Sequence, residues 1–237
     1  MHTNITTVLF DLDGTLLPMD LERFTNTYFA LLAQKAAPYG YNPKALAAAV
    51  WQGTKAMVAN NGSAPNEARF WQVFARELGE RALEMRPVLQ SFYANEFHGA
   101  RSATWENPLA KQAVEGLKAQ GRQVVLATNP LFPAVGVATR LSWLGLAPQD
   151  FALVTTYENS SYSKPNPAYY TQILKKLGKQ PGECLMVGND TQEDVLPAQK
   201  AGIQAYLVTD CLNGDAGDVQ PAGKGSFAGF MEFAGLA

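Results

Sequence analysis

The hydrophobic pattern changes character twice along the chain. Residues 5–10 (ITTVLF) form an apolar, β-branched run that reads as a short strand buried on both faces. From about Asp20 to about Trp105 the rhythm becomes helical, with little strand signal. Leu21, Phe24, Tyr28, Leu31 and Leu32 fall three and four apart, one apolar stripe of a helix that ends before Pro38. Asn42-Pro43, a cap followed by a first-turn proline, opens an Ala-rich second helix carrying Leu46, Val50 and Met57. Phe70, Val73, Phe74 and Leu78 mark a third helix, and Val88, Phe92 and Phe97 a fourth. Such a succession of helices, inserted after the first strand, predicts a separate all-α unit.

From Asn107-Pro108 onward helix and strand alternate. Helices are expected over about 109–120, through Val135 to Leu144, from Pro167 to Leu177, and through Val195 to Ala201. Gly121, Gly178 and Gly202 stand where glycine closes a helix. Buried strands are expected over 123–128 (QVVLAT), 151–156 (FALVTT), 183–188 (ECLMVG) and 203–208 (IQAYLV). Repeated β-α-β units call for right-handed crossovers and a parallel sheet covered on both faces. The tail from Asn213 is Gly-rich, with Phe227, Phe230, Met231 and Phe233 spaced for one last short helix. The expected fold is α/β: a doubly wound parallel sheet from residues 1–17 and 106–237, with an inserted all-α helical cap domain over 18–105.

Composition narrows the function more than the fold. At 237 residues and 47% hydrophobic content, the chain can bury one core plus a smaller appendage. A net charge of −2 gives no basic surface for nucleic acid or anionic membrane, so neither is expected as a partner. The two cysteines, Cys184 and Cys211, have no metal-like spacing and argue against a disulfide framework. No apolar run approaches the ~20 residues of a membrane span, and the N-terminus enters the first strand without a signal pattern. A cytoplasmic protein, monomer or homodimer, is the expectation.

The candidate chemistry starts where the first strand stops, at Asp11-Leu12-Asp13-Gly14-Thr15. Two carboxylates one residue apart beside a core repel each other and lose solvation, and a bound cation would relieve both costs. Gly14 lets the chain leave the strand in a backbone shape other residues resist. Ligands of open α/β sheets collect at the carboxyl ends of the strands, and here the suggestive residues recur at those ends. Strand two delivers Thr128-Asn129, strand three is followed by Lys164, and strand four delivers Gly188-Asn189-Asp190 with Asp194 beyond. Each has a plain alternative: Thr128-Asn129-Pro130 as a turn, Lys164 as a surface charge, and Asp190-Thr191-Gln192-Glu193 as a capping box. In register, the Thr128 hydroxyl and exposed amides suit phosphate oxygens. Lys164 sits on a loop stiffened by Pro165 and Pro167, facing several carboxylates.

Val-Leu-Phe-Asp-Leu-Asp-Gly-Thr-Leu resembles the first motif of the haloacid dehalogenase-like (HAD) hydrolase superfamily, and the resemblance extends over roughly 5–16 and 107–210. It implies a Rossmann-like core with a mobile helical C1 cap. It further implies Asp11 as nucleophile, Asp13 as general acid/base, Thr128 with Asn129 as phosphate contacts, and Lys164 as the cation that neutralises nucleophile and phosphoryl group. A magnesium ion, Mg2+, would be held by Asp11, the main-chain carbonyl of Asp13, and either Asn189 or Asp190. The fourth motif of the family is Gly-Asp with a second Asp four or five residues on. Asp190 and Asp194 match the shorter spacing, whereas counting from Gly188 puts Asn189 in the first position, where an amide would lower the charge of the site. Gly14, Thr15 and Asp194 would support the site.

The implied activity is magnesium-dependent phosphatase action, through an aspartyl-phosphate, on a small soluble phosphorylated metabolite. A phosphomutase would need the same core, and a phosphonatase a cap lysine from among Lys35, Lys44 and Lys55. A non-catalytic phosphate-binding or scaffold protein is the alternative of another class. Dehalogenases lack the second acid, so Asp13 speaks against that chemistry. In the cap, Trp51, Phe70, Trp71, Phe92 and Tyr93 are expected as core, His98 receives no role, and residues 60–63 (NNGS) are expected as an exposed loop tip.

Overall fold

Six strands form one parallel sheet in the computed structural model, which describes residues 4–217 and 219–237. Numbered in chain order, they are β1 (Thr7–Phe10), β2 (Gln123–Leu126), β3 (Leu153–Val154), β4 (Cys184–Gly188), β5 (Gln204–Val208) and β6 (Gly223–Gly225). Their order across the sheet is β3-β2-β1-β4-β5-β6. Phe10 lies opposite Leu126 on one side and Val187 on the other, so Asp11, Thr128 and Asn189 leave the sheet along one edge. This alignment follows from the ladder: Asp11 N–H donates to Val187 O (2.9 Å) and Ala127 N–H to Phe10 O (2.7 Å).

Side chains alternate between the two faces, as the two-residue strand period requires. Val8, Phe10, Val124, Leu126 and Val187 pack with α5 (Pro108–Ala119), α6 (Ala134–Ser142) and α9 (Phe227–Ala234). Leu9, Val125, Met186 and Leu207 pack with α7 (Pro167–Leu177) and α8 (Leu196–Lys200) on the other side. Between β1 and β2 lie α1 (Leu21–Ala36), α2 (Pro43–Val58), α3 (Asn66–Leu78), α4 (Arg86–Ala94) and a 3₁₀ segment, Glu96–Ala103. The first core is continuous through Phe97, Phe132 and Trp143 with the interior of these helices. The chain enters and leaves the insertion side by side: Asp20 N–H donates to Ala103 O and Trp105 N–H to Pro18 O, both 3.0 Å.

Local chemistry sets the helix ends. Asp20, Asn42, Asn166 and Ser226 each accept main-chain N–H groups at the start of a helix, and Gly178 closes α7 in the left-handed region.

Several sequence expectations are corrected. The third strand pairs over two residues rather than six, and beyond it the Thr155 hydroxyl contacts the Leu126 and Thr128 carbonyls (3.2 and 2.7 Å). The sixth strand, Gly-Lys-Gly, has no strand-forming residue to announce it. Phe97 belongs to the 3₁₀ segment, α4 having stopped where the Asn95 amide donates to Ser91 O (2.8 Å). The 60–63 loop is exposed at Asn61 and Ser63, as expected, but docked at Asn60 and Gly62. Asn60 is buried and donates to Asn66 Oδ1 (2.8 Å), and a Cβ at Gly62 would lie 2.2 Å from the Tyr162 hydroxyl oxygen. Asn66, fully buried, donates onward to Pro130 O (3.1 Å) and Ser163 Oγ (3.0 Å), tying the helices to the loops after β2 and β3.

Candidate active site

Strand β1 ends at Asp11 and the chain turns sharply at Gly14, whose φ of +89° is a conformation glycine tolerates. There is a second reason for glycine here: a Cβ would lie 2.4 Å from the Asn189 amide nitrogen. Thr15 donates its hydroxyl to Asn189 Oδ1 (2.8 Å), and Asn189 Nδ2 donates to Cys211 O (2.7 Å). The first turn and the end of β4 are therefore locked together.

Lys164 is the centre of charge. It is almost wholly buried, and its Nζ donates to Asp11 Oδ1 (2.7 Å) and Asp194 Oδ1 (2.6 Å). Burial alone would lower the lysine, but the two carboxylates outweigh it and hold it well above its ordinary value. One ammonium cannot fully compensate two buried carboxylates. Burial accordingly raises both Asp11 and Asp194, Asp194 to about 7. The Lys164 loop is fixed by its main-chain N–H, donated to Asn129 Oδ1 (3.2 Å), while Asn129 Nδ2 donates to Glu193 Oε2 (2.9 Å). Tyr169 and Thr155 hold the Thr128 carbonyl (2.9 and 2.7 Å), and no described residue hydrogen-bonds the Thr128 hydroxyl.

After β4, Asp190 caps the next helix, Oδ1 accepting from the Gln192 and Glu193 amides (2.7 and 2.8 Å) and Oδ2 from Asn213. The cap read in the sequence is realised only in its Asp190 half: the Asp190 N–H goes to Asp194 Oδ2 and the Glu193 carboxylate to Asn129, so the reciprocal bond of a capping box is absent. The turn that follows, Thr191–Val195, is a π-helical one, a feature concentrated at functional sites. The wider turn brings Asp194 back under the loop, where its Oδ2 accepts the Asp190 N–H (3.0 Å). Asp11, Asp13, Thr128, Asn129, Asn189, Asp190 and Asp194 all line one cavity of about 770 Å³ at the carboxyl edge of the sheet.

Asp13 has a partner the sequence did not reveal. Arg140 of α6, with no exposed surface, donates from its Nη1 to Asp13 Oδ2. Its guanidinium lies 4.2 Å from the Phe132 ring centroid, and its Nε donates to Gly136 O (3.3 Å). Asp13 Oδ1 and Arg140 Nη2 are buried without a partner among the described residues. The signal available beforehand was an arginine in an otherwise apolar helix, one charge among many. His98 accepts from Trp143 Nε1 (3.0 Å), a packing role. Lys35, Lys44 and Lys55 line neither the cavity at the sheet edge nor the one beneath the helices, and Lys35 pairs with Glu96 at 2.7 Å. Phe70, Trp71, Phe92 and Tyr93 are buried as expected, whereas Trp51 is 48% exposed and lines both cavities.

Comparison with known proteins decides the family. The model of the haloacid dehalogenase-like hydrolases matches residues 5–202. The chain belongs to the haloacid dehalogenase-like hydrolases. It is 28% identical over 216 residues to a ribulose-1,5-bisphosphate 5-phosphatase of Halopiger xanaduensis, covering 89% of this chain and 87% of that protein. It is 27% identical to a glyceraldehyde 3-phosphate phosphatase of Methanothermobacter thermautotrophicus, with 86% of each covered. A crystal structure of 2-haloacid dehalogenase from Pseudomonas syringae shares the fold, at a TM-score of 0.64 and 21% identity over 98% of this chain and 100% of that one. As a HAD hydrolase the chain is an enzyme that cleaves a bond with water. No helix among the described residues is long and apolar enough to cross a membrane.

Proposed function

We propose that this hydrolase is a magnesium-dependent phosphomonoester phosphatase acting on a small phosphorylated metabolite through an aspartyl-phosphate on Asp11. The observation that carries it is Lys164 bridging Asp11 and Asp194 at the strand edge (2.7 and 2.6 Å), beside an uncommitted Thr128 hydroxyl. The two phosphatase relatives support the same chemistry. Residues 1–17 and 106–237 would form the catalytic core and 18–105 the cap.

The donor set suits one hard divalent cation. Asp11 has a second carboxylate oxygen beyond the one Lys164 holds, Asn189 has an amide oxygen, and Asp13 has its main-chain carbonyl. No cluster of three or more His, Cys, Asp or Glu side chains stands ready for a metal among the described residues, so the site would be low in protein charge. Magnesium suits such a site, because it takes few protein oxygens and keeps water. Asn189 Oδ1 accepts one hydrogen bond, from Thr15, whereas the Asp190 oxygens accept the two amides of the helix cap and Asn213, so Asn189 is the better candidate ligand. When bound, the ion would neutralise phosphoryl oxygens beside Asp11.

The residues divide the work between two steps. An Asp11 carboxylate oxygen attacks phosphorus in line, and the bond from phosphorus to the alcohol oxygen breaks. Thr128, the Asn129 main-chain N–H and Lys164 hold the phosphoryl oxygens as charge moves onto them. Asp13 gives its proton to the departing alcohol oxygen. It then takes one from the water that attacks the aspartyl-phosphate, releasing inorganic phosphate and restoring Asp11. Arg140 acts through Asp13 as a positioning residue, its Nη1 holding Oδ2 and so fixing the orientation of the carboxyl group.

The test is phosphate release from a panel of phosphorylated metabolites, with magnesium and with chelator. Turnover that needs magnesium and is abolished in Asp11→Asn is the expected result. Full turnover by correctly folded Asp11→Asn would end the proposal.

A further inference from the structure

Beneath the helices lies a second cavity of about 590 Å³, between α1–α4 and the chain after β2. Its walls are largely aromatic, with Phe24, Tyr28, Phe70, Trp71, Tyr93 and Phe132 among them. The volume is in the range of small-molecule sites. It adjoins the cavity at the sheet edge, and Asp13 lines both, together with Thr25, Trp51 and Phe132. The residue proposed to protonate the leaving alcohol therefore stands in the doorway between the two. Phosphate held beside Asp11 directs the rest of the ester through that doorway into the aromatic chamber.

Many of the polar atoms of this chamber already have partners within the protein. The Tyr28 and Tyr93 hydroxyls bond each other at 2.9 Å, Arg86 Nη1 donates to Glu67 Oε1 at 3.2 Å, and Trp71 Nε1 donates to the Tyr157 hydroxyl at 3.4 Å. Both Glu158 oxygens accept the Ala134 N–H that opens α6 (2.9 and 3.1 Å). Burial raises Tyr28 and Tyr157 to about 12, in keeping with a low-polarity interior. Among the described lining residues, the side chains of Thr25, Thr54 and Gln90 and the Oδ1 of Asp13 at the doorway remain without a partner of their own. A hydroxyl-rich alcohol such as a sugar would bury several groups with nothing to bond, each at a cost. An apolar one would gain by leaving water.

We infer that the substrate is a phosphate monoester of a bulky, predominantly apolar alcohol, aromatic or long-chain, whose organic part fills the chamber above Asp13. The inference rests on the phosphatase reading and adds the class of its leaving group. Leu21 and Trp51, at 60% and 48% exposure among the more exposed large apolar side chains, line both cavities and give the alcohol its way in.

The experiment measures kcat/KM for phosphate release along n-alkyl phosphates from propyl to octyl, beside phenylpropyl phosphate, glycerol phosphate and phosphoglycolate. Each added CH2 should raise kcat/KM about fourfold until the chamber is filled, with the polar esters at the bottom of the scale. Thr54→Trp, which narrows the chamber from a half-buried position on α2, should compress the octyl-to-propyl ratio. Polar small esters turned over as well as octyl phosphate, or a ratio unmoved by Thr54→Trp in folded enzyme, would overturn the inference while leaving a phosphatase. Release from no ester at all would overturn the phosphatase reading and this one with it.

Discussion

Two adjoining cavities of similar size are built on opposite principles. The one at the sheet edge is made of strand ends and tight turns and concentrates carboxylates, two of which, Asp11 and Asp194, pair with Lys164, itself buried and not part of the lining. The one under the helices is made of interdigitated aromatic side chains whose few polar atoms satisfy one another. Parallel strands deliver their ends in register, so a handful of residues far apart in sequence become neighbours with little freedom. Helices packed through rings offer shape and burial instead. The difference suggests that reaction type is carried by the sheet and choice of substrate by the insertion, with Asp13 the acidic residue that lines both cavities.

Variants should separate the two regions. The largest effect belongs to Asp11→Asn, expected to lower kcat by roughly 10⁴-fold or more, on the scale of losing a nucleophile, on every ester alike. Lys164→Met should lower kcat on the order of 10²–10³-fold. Because it leaves two carboxylates buried without their cation, denaturant unfolding should also show a loss of about 3–5 kcal/mol. Arg140→Met sits at the boundary and should discriminate between leaving groups. For alkyl esters, which need a proton on departure, kcat should fall about 10²-fold, whereas a nitrophenyl ester should be much less affected. An equal loss on both would mean that the arginine serves packing alone.

The smallest effect is on stability against pH in metal-free protein. Burial raises Asp194 from 3.8 to about 7 in the folded state, so between those values the folded protein holds more protons than the unfolded chain. Stability attributable to this group should therefore be greatest below pH 4 and decline as pH rises toward 7. Asp194→Asn should flatten that slope in chemical denaturation measured across the range, and an unchanged slope would mean that Asp194 is not its source.

Much of the sheet-edge cavity was legible in the sequence because its residues follow strands that announce themselves. Asp11 and Asp13 end a continuous apolar run, Thr128 ends another, and Lys164 stands on a loop marked by its own prolines. Arg140 was not legible. Its meaning comes from its place against Asp13 and Phe132, and a single arginine in the otherwise uncharged stretch 134–142 does not by itself say what it pairs with. Asp190 shows the opposite problem: two meanings, cap and ligand, fit the same tetrapeptide, and side-chain bonding alone told that its oxygens are used for the cap. The π turn that returns Asp194 to Lys164 leaves no trace in hydrophobic period, because it adds one residue within a polar stretch. In the insertion, helix content was readable from three- and four-residue spacing, but the docking of Gly62 was not, because it is set by Tyr162, a hundred residues away.

The covalent step on Asp11 is the claim on which the division between the two cavities depends. It is tested by quenching the enzyme in mid-turnover with acid, reducing with borohydride, and mapping the peptides by mass spectrometry. An aspartyl-phosphate predicts homoserine at position 11 in the substrate-treated sample and its absence without substrate. Unmodified Asp11 throughout, in an enzyme caught while releasing phosphate, would contradict the mechanism and move the nucleophile elsewhere.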